Sequence, residues 1–117
     1  MLPKQYRLKN HRAFEATYAN RKRVSNSFAI LYKGKPKTNT DHITKIGFVV
    51  TKKVSKRAVK RNRLKRLFRE AVRLHLKNNT LPEINDFQSL VFVIKQTENF
   101  PNLQICMQTV ETLIKRK

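Results

Sequence analysis

The chain has 117 residues, 39% of them hydrophobic, with 27 Lys and Arg against 7 Asp and Glu, a net charge of +20 and a pI near 11.0. One domain spanning 1–117 with a modest core is expected, and an excess of charge on this scale repels itself unless a polyanion neutralises it, so nucleic acid is the first partner to expect and an anionic membrane surface the second. The composition excludes a membrane-spanning protein, since no apolar run approaches roughly 20 residues; the basic N-terminus lacks the apolar stretch of a secretory signal, and the lone Cys106 fits a reducing cytoplasm.

Residues 1–10 are polar and basic and predict an irregular arm. Asn10 is suited to cap a helix from His11 to about Asn20. Phe14 and Tyr18 share a face of that helix at i, i+4, and Arg21, Lys22 and Arg23 end it with favourable cations. Ser27 to Lys33 alternates as a strand, with Phe28, Ile30 and Tyr32 on one side and Ala29, Leu31 and Lys33 on the other. A polar loop, Gly34 to His42, leads into a second strand, Ile43 to Lys52. Strand, loop, strand predicts a long antiparallel hairpin.

The densest feature follows. From Lys52 to Arg73 there are eleven Lys or Arg and one acid, Glu70. Leu64, Leu67, Phe68, Ala71 and Val72 fall at the spacing of one helix face, which predicts a helix from about Ala58 to Lys77. Asn62, Arg66, Arg69 and Arg73 gather on the opposite face, with Lys65 beside them. Lys56, Arg57, Lys60 and Arg61 crowd the helix start, where positive charge opposes the dipole by roughly 0.3–1 kcal/mol per exposed residue. Stability alone does not place cations there, whereas a phosphate ligand does. A solvated basic face is the plain alternative.

Asn78 to Pro82 stops this helix, and Glu83 to Asp86 is a linker. Leu90 to Ile94 is wholly apolar and predicts a strand buried on both faces or central in the sheet. Asn102 is placed to cap a last helix to about Ile114, with Leu103, Cys106, Val110 and Leu113 as its apolar stripe. The order α-β-β-α-β-α predicts an α+β sandwich: a small, mainly antiparallel sheet packed with three helices. General rules make its strand–helix–strand crossover right-handed.

The residues offer no catalytic centre. His11, His42 and His75 are scattered, with His75 in the apolar phase of the basic helix and suited to partial packing. Cys106 sits on a core stripe. Phosphodiester chemistry at a protein metal site needs several converging carboxylates, and of the seven acids Glu83 and Asp86 form a close pair in a linker. The two glycines, Gly34 and Gly47, cannot form a phosphate-binding glycine loop.

The run Lys60-Arg61-Asn62-Arg63-Leu64-Lys65-Arg66-Leu67-Phe68-Arg69-Glu70 resembles the Arg-Asn-Arg signature of the bacterial ribonuclease P protein subunit. Ile46 to Val54, with Lys52-Lys53, resembles the strand and Lys-Lys entry before it. Ser55-Lys56-Arg57 departs from the pattern, because many members carry a glycine there. The resemblance implies a left-handed crossover and a protein cofactor of a ribozyme that removes the 5′ leader of precursor tRNA. It implies a catalytic RNA as 1:1 partner, Mg²⁺ held mainly by that RNA, no membrane, no required protein partner and a cytoplasmic location. The implied RNA-subunit contacts are Lys53, Lys56, Arg57, Lys60, Arg61, Asn62, Arg63, Lys65, Arg66 and Arg69. The implied leader cleft holds Phe14, Tyr18, Tyr32 and Lys52; on periodicity alone, Phe14 and Tyr18 would face the core instead. Phe28, Phe48, Phe68 and Phe92 are assigned to the core. A ribosomal or other structural RNA-binding protein is the alternative.

Overall fold

Leu90 to Ile94 is apolar on both sides of its pleat, and it takes the centre of the sheet. The computed structural model describes residues 4–20, 22–26, 28–36, 43–51, 54, 56–95 and 102–116. Among these, the strands are β1 (Lys22–Ser25), β2 (Ala29–Lys33), β3 (Lys45–Val50) and β4 (Ser89–Ile94), in the spatial order β1-β2-β4-β3. β1 and β2 pair antiparallel, β2 and β4 antiparallel, and β3 and β4 parallel.

The predicted hairpin is therefore wrong, because β2 and β3 are not neighbours. A strand apolar on both faces needs a pairing partner on each edge, and β4 obtains both by inserting between them. The connection from β2 to β3 is also too long to enforce a hairpin; its residues 37–42 lie outside the described residues. A second correction concerns Lys22 and Arg23. They do not end the first helix but open β1, which pairs with β2 from Lys22↔Lys33 to Ser25↔Ile30. Four exposed or half-exposed residues of an edge strand carry too weak an alternation to announce it.

The helices are α1 (His11–Ala19), α2 (Ala58–Asn78) and α3 (Leu103–Lys115). Asn10 caps α1, its Oδ1 accepting from the Arg12 N–H at 2.9 Å, and Asn102 caps α3 by accepting from the Ile105 N–H at 2.9 Å. Asn79 ends α2 in the left-handed conformation, φ 53°. The linker at 83–86 is part of a 3-10 turn, Pro82–Asp86.

One sheet face carries Ala29, Leu31, Leu90, Phe92, Ile94, Ile46, Phe48 and Val50 against α2 and α3. Phe48 stacks on Phe92 at 5.5 Å and meets Phe68 of α2 at 6.4 Å. Each such side chain, once buried, contributes about 1.5–3 kcal/mol. Phe48, Phe68 and Phe92 are core residues. Phe28 is not; it is half-buried just before β2. Leu67 is also only partly buried, because it sits at the margin of the apolar stripe. His75 is fully buried: its Nε2–H donates to the Met107 carbonyl at 3.0 Å, leaving Nδ1 to accept from the Thr80 hydroxyl at 2.8 Å. Cys106 is buried, and desolvation pushes its thiol up to about 11.

Candidate nucleic-acid interface

α2 begins without the cap that α1 and α3 have. Its N-cap is Arg57, in an extended conformation with no side-chain capping bond, and no acid lies in the first turn. Lys56, Arg57, Lys60, Asn62, Arg63 and Arg66 are exposed; Arg61, Lys65 and Arg69 are partly so. Arg61 folds back, its Nη1 donating to the Lys56 carbonyl at 3.0 Å, which holds its charge over the helix start. Val59 is 77% exposed among these cations. Glu70 is held by Arg73 one turn on, with Arg73 Nε donating at 3.0 Å. That hydrogen bond draws the Glu70 carboxyl down to about 2. Among the described residues, no acid forms a salt bridge with Lys60, Lys65, Arg66 or Arg69. Lys56 and Arg57 at the helix start, with Lys60, Arg61, Arg63, Lys65, Arg66 and Arg69 on α2, thus form a row of cations, and the only acid of α2, Glu70, is already engaged. Lys52 and Lys53 lie outside the described residues.

The aromatic residues meet on the other face of the sheet. The register sets Gly47, Val91, Tyr32 and Arg23 in one row across the strands, and Val49, Val93, Ile30 and Ser25 in the next. α1 crosses over the first row. Its Phe14 ring lies against Gly47, where an added Cβ would stand 2.6 Å from the ring, so only glycine admits this approach. Thr17 bonds the Ala13 carbonyl at 2.8 Å and shares a 2.5 Å hydroxyl contact with Ser89. Tyr18 meets Tyr32 edge to face, centroids 4.7 Å apart at 88°. Burial raises the Tyr18 phenol pKa, and Tyr32 adds to the effect. Val91 is buried in the row that α1 crosses, but Val49, Val93 and Ile30 stay half-exposed. The result is an apolar floor of β-branched side chains with an aromatic wall of Phe14, Tyr18 and Tyr32 along one side.

The sequence profile of the ribonuclease P family matches residues 2–117. The chain belongs to the ribonuclease P family. Its role as the protein subunit of that ribonucleoprotein, in tRNA processing, follows from this membership. It is 33% identical over 111 residues to the ribonuclease P protein component of Clostridium kluyveri, covering 95% of this chain and 93% of that one. It is 36% identical over 118 residues to the component from Symbiobacterium thermophilum, covering 98% and 93%. The fold is similar to that of the Staphylococcus aureus RNase P protein, with TM-score 0.72 at 22% identity over 94% of this chain and 93% of that one. It is equally similar to the Thermotoga maritima RNase P protein, with TM-score 0.73 at 21% identity over 95% and 97%.

Within this ribonuclease P protein, the described members of the two predicted groups of site residues occupy opposite sides of the sheet. α2 and its cations lie on one face, and Phe14, Tyr18 and Tyr32 gather on the other. Sequence reasoning missed Lys33. Lys33 is 3% exposed, and its Nζ donates to the Ile114 and Arg116 carbonyls at 3.1 and 2.6 Å, tying β2 to the end of α3. Burial lowers its pKa, with Lys22 contributing. Its place in the inward phase of β2 was the available signal. Among the described residues, no three His, Cys, Asp or Glu side chains converge as metal ligands.

Proposed function

We propose that this ribonuclease P protein acts as the cofactor of a catalytic RNA and brings no reacting group of its own. The α2 row of Lys56, Arg57, Lys60, Arg61, Asn62, Arg63, Lys65, Arg66 and Arg69, with Lys53 ahead of it, binds that RNA in a 1:1 complex. Guanidinium forks bond two phosphate oxygens at once, which suits a folded RNA backbone. The observation that carries this proposal is the cation row at an uncapped helix start, unfavourable in the free protein and favourable beside phosphate.

The aromatic wall and its apolar floor, with Lys52 near the end of β3 in sequence, take the single-stranded 5′ leader of precursor tRNA. Stacking on Tyr32, Tyr18 and Phe14 is worth about 1–3 kcal/mol per base and tolerates any sequence. Mg²⁺ stays with the RNA. The protein lowers the repulsion between two polyanions and holds the leader in place, which contributes positioning and reduces the Mg²⁺ demand. Tyr32→Ala tests the cleft: affinity of the holoenzyme for precursor tRNA should fall about 5- to 100-fold, while mature tRNA binding stays unchanged. Equal losses for both tRNAs would contradict leader binding.

A further inference from the structure

Phe28, assigned to the core by the sequence, stands half-buried at the turn between β1 and β2. There it lines a cavity of about 250 Å³ together with Asn26, Ile105, Gln108, Thr109 and Thr112. The α3 members fall at i, i+3, i+4 and i+7, so one stripe of that helix faces the turn. The stripe runs beside the core positions Cys106, Val110 and Leu113. The cavity therefore lies on the sheet face that α2 and α3 cover, opposite the wall of Phe14, Tyr18 and Tyr32.

The turn is tied by hydrogen bonds of its own. Asn26 Oδ1 accepts from the Phe28 and Ala29 N–H groups at 2.9 and 3.0 Å. Lys95 Nζ donates to the Asn26 carbonyl at 2.6 Å, and Arg116 Nη1 donates to the Ser25 carbonyl at 2.5 Å. Both acceptor directions of Asn26 Oδ1 are thus used, while its Nδ2 donors are not. Among the described residues, no hydrogen bond engages Asn26 Nδ2, the Gln108 side chain or the hydroxyls of Thr109 and Thr112. Thr109 is only 4% exposed. A hydroxyl so buried and without a protein partner carries a desolvation cost that a ligand in the cavity would offset.

We infer that this cavity holds one unpaired nucleobase of ribonuclease P RNA, a contact separate from the α2 cations and from the aromatic wall. This rests on the proposal that α2 binds that RNA. None of the lining residues is charged, so the cavity does not suit a phosphate. An aromatic side chain beside amides and hydroxyls suits a flat ring with donors and acceptors along its edge. The volume lies below the roughly 300–1,000 Å³ of sites for drug-sized ligands, which leaves room for one base. Lys95 and Arg116 stand at the turn, where they can meet the phosphates flanking that base. A net charge of +20 favours a base that arrives on a polyanion over a neutral small molecule. The position on the α2 side assigns the base to ribonuclease P RNA and not to the leader.

Base-specific chemical probing tests the pocket. Wild type, Phe28→Leu, Gln108→Ala and Thr109→Val are each bound to ribonuclease P RNA and to an unrelated structured RNA of equal length, and affinity is followed across a range of NaCl. Wild type should shield the Watson–Crick edge of one unpaired base in ribonuclease P RNA, and each variant should re-expose that same base. Phe28→Leu should lose about 5- to 100-fold in affinity with the salt slope unchanged, because no phosphate contact is removed. Identical protection in wild type and variants, or a loss accompanied by a smaller salt slope, would overturn the pocket. Gln108 is exposed, so Gln108→Ala decides the matter should Phe28→Leu lower the melting temperature. A wild-type chain that does not prefer ribonuclease P RNA defeats the functional proposal instead. The pocket is then read by NMR with the four nucleoside monophosphates. Amide shifts at residues 105–112 that vanish in Phe28→Leu support it, and unmoved amides there overturn it.

Discussion

Leu67 and Phe68 are neighbours in α2 with different fates. Phe68 is 1% exposed and packs on Phe48, whereas Leu67 lies at the margin of the stripe. Phe68→Ala should cost about 3–5 kcal/mol in denaturant unfolding, and Leu67→Ala clearly less; a larger loss for Leu67→Ala would contradict this packing. Glu70 offers a second residue-level test. Its pKa is depressed, so its contribution to stability is complete above the ordinary glutamate range and is lost as pH falls through the folded value, about 2. The stability gap between wild type and Glu70→Gln should narrow as pH falls from about 5 toward about 2, as followed by thermal melting. A constant gap would contradict the Arg73 contact as its cause. At this scale the sequence was informative wherever a residue's role depended on its own helix. Asn10, Asn102 and Asn79 cap or end helices where their type and position predicted. Lys33 was harder to read, because the carbonyls its Nζ meets belong to Ile114 and Arg116 at the far end of the chain.

Among the elements, α2 is built against its own stability. An arginine N-cap without a side-chain capping bond, in a first turn without acids, sets positive charge against the helix dipole. Arg57→Ser should supply the cap and remove a dipole-opposed charge, stabilising the free protein by about 0.5–2 kcal/mol while weakening RNA binding. Chemical denaturation and RNA titration on the same variant check both halves; a stabilised variant with full RNA affinity would separate Arg57 from the interface. The helices were legible because a 3.6-residue period is local. Sheet order was not, because pairing is decided by which strand needs two neighbours. The apolar run in β4 contained that information, yet adjacency of β2 and β3 along the chain suggested a hairpin. The same non-local order assembles the aromatic wall: Tyr32 of β2 and Gly47 of β3 share a row because β4 lies between them.

As a whole molecule, the chain sets α2 with its cations and the Phe14, Tyr18 and Tyr32 wall on opposite sides of the sheet. α2 and α3 cover one sheet face, and the nine-residue α1 covers only part of the other, leaving Val49, Val93 and Ile30 half-exposed beside Tyr32. The proposed function assigns one RNA to each side, charge serving the one and stacking the other. A net charge of +20 supplies long-range attraction that salt weakens. The most direct measurement is 5′ cleavage of precursor tRNA at low Mg²⁺, with the cognate RNA alone, the chain alone, and both together. The combination should cut faster than the RNA by itself, and the chain alone should cut nothing. Leader removal by the chain after complete RNA digestion would contradict the account.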